Sequence, residues 1–152
     1  MSLLNLPDRP GPAPRTRGPV PHGQLDQIAP TPLQEEFWQR MRSLSGVYLA
    51  PTHVPYPEAR AIHLAPEFGT GPDDAFIRHS REFAHQHPPQ DGSVHLTLPP
   101  AAKKHVTDLG WGIPHPIQNT LLLFGPRDRD EIEVAWQILL ASYTYARGRA
   151  HE

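Results

Sequence analysis

The 152-residue chain contains no cysteine, which excludes disulfides, thiolate metal sites and a cysteine nucleophile. It has no run approaching the roughly 18–20 apolar residues that a membrane span needs. Its first residues lack the apolar stretch of a signal peptide. An excess of basic charge is missing as well: 14 Lys and Arg face 16 Asp and Glu, for a net charge of −2. Such a surface offers no field for nucleic acid or anionic lipid. Gly-x-Ser-x-Gly, P-loop and Gly-x-Gly-x-x-Gly motifs are absent too. Together these absences lead us to expect a cytoplasmic protein with a small-molecule partner, and neither nucleic acid nor membrane as a partner.

Proline is abundant, with 20 in the chain, and seven of them fall within residues 1–30. That leader has few apolar residues to offset the entropy of ordering, so it reads as extended or disordered. Residues 31–150 read as one domain. Thr31 as N-cap, Pro32 and Gln34 open a helix whose stripe is Leu33, Phe37, Met41 and Leu44. Short strand candidates follow at 46–52, 59–64 and 75–77, joined by Pro- and Gly-rich links. A second helix spans about Pro99 to Leu109, with Gly110 after it. Gly110 to Pro116 reads as a stiff loop. Asn119 to Phe124, the most apolar run, reads as the central strand. A last helix starts at Asp128, with Glu131 as its capping partner, and stops at Gly148. Grouped strands without βαβ repetition indicate α+β: an antiparallel sheet with helices packed on one face.

The most informative stretch is Arg81 to Pro100, which reads as a β-hairpin carrying three histidines. Alternation places Phe83, His85 and His87 on one face of the first arm, and Ser93, His95 and Thr97 on one face of the second. Pro88 to Gly92 is the turn. Symmetric pairing sets His87 against Ser93, His85 against His95 and Phe83 against Thr97. Three histidines on one strand face suit neither an apolar core nor an inert surface. Of the other seven, His22 and His151 lie in presumed tails and His105 on the polar side of a helix. Two chemistries fit the trio. Neutral imidazoles can hold Zn²⁺, Fe²⁺ or Mn²⁺, with His115 as a fourth ligand, although a carboxylate usually accompanies such sets in iron sites. Alternatively, one imidazole abstracts a substrate proton while another stabilises the anion, with no metal. Arg127, at the start of the last helix, suits a substrate anion; it equally suits a surface ion pair with Asp130. Trp111, Phe83, Asp91 and Ser93 are the candidates for substrate contact.

Ala65-Pro66-Glu67-Phe68-Gly69, Glu82-Phe83-Ala84-His85-Gln86-His87-Pro88 and Asp91-Gly92-Ser93-Val94-His95 form a distinctive set. With Gly110-Trp111-Gly112, His115-Pro116 and Gly125-Pro126-Arg127-Asp128, they resemble the luciferase-domain family, which includes the fungal luciferases and bacterial members of unassigned function. The resemblance covers about residues 45–148 and leaves out the leader. It implies addition of O2 to an electron-rich hydroxypyrone and loss of CO2 without flavin, and it places His85, His87, His95, His115 and Arg127 on the shared motifs. The expectation is therefore an oxygenase-like enzyme acting on an enolisable or phenolic compound, needing O2 alone or one divalent metal on the histidines. A non-catalytic small-molecule or metal-binding module and a metal-dependent hydrolase or isomerase are the alternatives.

Overall fold

The alternating segments pair into an antiparallel sheet of six strands. They are β3 (Val47–Leu49), β4 (Arg60–Leu64), β5 (Glu82–Gln86), β6 (Val94–Thr97), β7 (Gly112–Pro114) and β8 (Thr120–Leu123), in the order β3-β4-β5-β6-β8-β7. Two further short strands, β1 (Thr16–Arg17) and β2 (Gly23–Gln24), form a separate ribbon. The helices are α1 (Thr31–Arg42), α2 (Pro100–Asp108) and α3 (Arg129–Arg147). This computed structural model describes residues 4–56 and 58–148. Residues 1–3, Pro57 and 149–152, including His151 and the expected domain end at residue 150, lie outside the described residues. The fold is α+β, as the grouping of strands implies.

Helix boundaries follow local chemistry. Asp128 accepts the Glu131 backbone N–H at 2.9 Å, and Gly148 ends α3 in the left-handed region. Thr31, expected as a cap, is instead the first helical residue, and Pro30 precedes it without a side-chain cap. The 110–116 loop is partly β7, an edge strand paired only with β8; Pro114 is tolerated there because an edge strand leaves one row of N–H groups unpaired. Residues 73–75 form a 3-10 turn where a strand was expected to begin.

One face of the sheet is apolar. Ala84, Val94, Leu96, Leu121 and Leu123 join Phe37, Met41, Ile138 and Leu139 in the core. α3 packs against β5 and β6, and α1 against α3. The register between β4 and β5 slips by one residue: Ile62 pairs with Ala84, but His63 pairs with Glu82. Phe83 is therefore the extra residue of a β-bulge. It leaves the histidine face expected of it and enters the core, fully buried. The same slip turns Glu82 onto the histidine face.

The leader is extended but packed against the domain rather than free. The Arg9 backbone N–H donates to the Leu109 carbonyl, Trp111 Nε1–H donates to the Pro7 carbonyl at 2.7 Å, and the Gly125 N–H donates to the Gln24 side chain. Arg9, His22, Gln24 and Ala29 are buried. Its polar groups find partners on the domain surface, which offsets an ordering cost that its own apolar content cannot meet.

A buried histidine cluster as the candidate active site

The hairpin has the register that its symmetry implies: His85 pairs with His95, and the His87 N–H donates to the Ser93 carbonyl at 2.9 Å. Gly92 closes the turn at φ 71°, where a Cβ would strike the Gln34 side chain. The ring of His85 is held from behind by Glu82, whose Oε2 lies 2.8 Å from Nδ1. Glu82 also accepts from the Thr52 hydroxyl and the His53 backbone N–H. His87 is held likewise: Nδ1 lies 3.1 Å from Asp91 Oδ2, and Asp91 accepts from the Ser93 hydroxyl and the backbone N–H groups of Ser93 and Gln24. Burial pushes both carboxyls up. Donation from His85 to Glu82, and from His87 to Asp91, outweighs this and holds both below the usual range.

His95 lies between the two anchored rings. Its Nδ1 is 3.2 Å from His85 Nε2 and 3.1 Å from His87 Nε2; its Nε2 is 3.0 Å from His22 Nδ1. His115 completes the group, with its ring centroid 4.8 Å from that of His22. Its Nδ1 accepts the backbone N–H groups of Ile117 and Gln118. That leaves the ring proton of neutral His115 on Nε2. None of the five rings is more than 9% exposed. Burial holds His22, His87 and His95 below the ordinary imidazole range, His95 well below it, and neighbouring imidazoles lower His95 further. Burial, then the other histidines and Arg78, take His115 to about 4. These four rings are neutral at pH 7.

A cavity of about 270 Å³, open mouth included, sits over the cluster, roofed by Pro19 to His22 and by Val54 to Tyr56. The part that a water molecule's centre can occupy is about 20 Å³, enough for one water or ion. The Tyr56 ring stacks on His87 with centroids 4.3 Å apart.

Of the expected site residues, His85, His87, His95 and His115 meet at this cavity. Asp91 and Ser93 stand behind His87 and orient it rather than line the cavity. Phe83 is in the core because of the bulge, and Trp111 is in the core because its indole anchors the leader. Arg127 is not at the cavity either. Its guanidinium is spanned by the Glu131 carboxylate, at 3.0 Å from Nε to Oε1, and donates to the Pro10 carbonyl and Gln27, so it pins the leader. Its ion-pair partner is Glu131, not Asp130. Three residues went unrecognised in the sequence. Glu82 sits at the wrong parity for the histidine face until the bulge is known, Tyr56 lies in a proline-rich loop, and His22 lies in the leader. The one signal for His22 was stiffness, since Pro19-Val20-Pro21 limits the chain ahead of it.

A family model described as a luciferase domain matches residues 80–142. A luciferase of Armillaria gallica is 29% identical over 165 residues, covering 94% of this chain and 62% of that protein. Over these residues the chain is similar to the luciferase-domain family. A luciferase of Armillaria mellea is 28% identical over 164 residues with the same coverage, and one of Neonothopanus nambi is 27% identical, covering 61% of its length. The chain spans about 62% of the length of the curated relatives it matches. Coverage of 94% is more than residues 45–152 can supply, so the similarity extends into much of the leader that had been left out of it. No solved structure matches. No helix among the described residues is long and apolar enough to cross a membrane. The family match contains the whole hairpin and His115.

Proposed function

We propose that this chain is a flavin-free oxygenase acting on an enolisable or phenolic small molecule. The observation that carries the reading is the convergence of five buried imidazoles on one cavity, in a chain whose relatives are named luciferases. His22 Nδ1 is turned to His95, and its Nε2 has no hydrogen-bond partner among the described residues, so it serves as the base that takes the acidic proton of the substrate. His115 presents Nε2–H to the anion that forms. The electron-rich carbon then adds O2, and the abstracted proton returns to give a hydroperoxide. Substrate and O2 are consumed one for one, and no external reductant is needed. Because the space over the rings is little more than one water, a substrate enters when the strap Gly18 to His22 moves aside.

The test is O2 uptake by the purified protein with a panel of hydroxypyrones and phenols. Uptake with at least one of them, reduced about 10²–10⁴-fold in His22→Gln, is expected. Compounds that bind without O2 uptake would leave a binding module in place of an enzyme.

A further inference from the structure

Protons within the cluster can be counted. The Glu82 carboxylate accepts from three donors, and one of them is His85 Nδ1–H. The Ser93 hydroxyl donates to Asp91 Oδ1, so His87 Nδ1–H goes to Asp91 Oδ2. Both rings therefore carry a lone pair on Nε2. Both lone pairs face the same atom, His95 Nδ1, at 3.2 and 3.1 Å. A proton on that atom satisfies only one of them at a time, and the other is left buried without a donor, a condition that folded proteins avoid. A proton on His95 Nε2 instead donates to His22, and then three lone pairs converge.

We propose that His85 Nε2, His87 Nε2 and His95 Nδ1 bind a divalent first-row transition-metal ion. Metal–imidazole bonds of about 2.1 Å place neighbouring ligand nitrogens about 3.0–3.4 Å apart, which the two observed spacings match. Three imidazoles with no carboxylate among the ligands suit Zn²⁺ or Co²⁺ and not Mg²⁺ or Ca²⁺. Carboxylates on the far nitrogens of His85 and His87 are the usual support of metal-binding histidines, fixing tautomer and ring orientation. His115 stays outside the ligand set, because its Nδ1 is occupied by backbone N–H groups. The remaining coordination positions are left to water or substrate from the cavity. With an ion bound, His95 donates Nε2–H to His22, and neutral His22 carries its own proton on Nε2. His22 therefore acts as a base only in the metal-free cluster; the metal site is tested by binding and not by turnover.

The experiment is titration of the chelator-stripped full chain with Co²⁺, followed by visible absorption and calorimetry. One Co²⁺ per chain is expected, displaced by Zn²⁺. His87→Gln should abolish binding, Glu82→Gln should weaken it about 10–100-fold, and His79→Asn, at an exposed histidine, should not change it. If a variant does not fold, the Co²⁺-loaded wild type decides: three paramagnetically shifted exchangeable ring N–H signals are expected, one from each ligand. Absence of saturable binding by the wild type, fewer than three such signals, or unchanged affinity in folded His87→Gln would overturn the proposal.

Discussion

At the scale of single residues, two carboxylates give the cluster its order. Glu82 and Asp91 each hold a histidine by Nδ1, so that both rings present the same nitrogen toward His95. Phe83 plays the complementary part on the other face, filling the core beside the Tyr143 ring at 6.1 Å between centroids. Phe83→Ala is expected to cost about 3–5 kcal/mol, through lost transfer free energy and the cavity left behind. Denaturant unfolding checks this. A loss under about 1 kcal/mol would mean that the ring contributes little to the core and belongs with the histidines after all.

At the scale of elements, α1 and α3 are tied by charge as well as by apolar contact. Glu36 of α1 accepts from Arg129 of α3 and from Arg40, and Arg40 also bonds Glu133. Hydrogen bonds from Arg129 and then Arg40 take the Glu36 carboxyl from 4.5 to about 2. A depressed folded pKa favours the ionised folded state, so this contribution is complete above pH 4.5 and fades as pH falls toward 2. The acid limb of the stability profile is expected to be shallower in Glu36→Gln over that window, as followed by urea midpoints at successive pH values. Identical limbs would show that the pair contributes nothing, a common result for exposed ion pairs. The bulge in β5 acts at this scale too. One inserted residue exchanges the faces of Glu82 and Phe83 and so supplies both a histidine anchor and a core residue.

At the scale of the whole molecule, the sheet has two different faces. The face under α1 and α3 forms the core, while the histidine face is covered by the leader and by the 53–56 loop. Removing residues 1–30 deletes His22, uncovers Trp111 and Phe124 and leaves the half-buried Arg127, paired with Glu131, without its Pro10 and Gln27 contacts. The shortened chain is expected to melt well below the full chain. A melting temperature within about 2 °C of it would mean that the leader contributes less than about 1 kcal/mol.

The sequence by itself determined the local features: the α+β class, the capped start and glycine stop of α3, and a hairpin register that sets His85 opposite His95. Each depends on residues close in sequence, where periodicity, capping and turn chemistry act directly. Tertiary structure alone decided the rest of the site. A single-residue bulge, invisible to any period-2 pattern, turned Glu82 inward and Phe83 away. Packing against the domain, not propensity within the leader, ordered residues 4–30 and delivered His22 to His95 from 73 residues away in sequence. Arg127 and Trp111 stand beside motifs that suggest a pocket, and only the path of the leader assigned both to holding it in place.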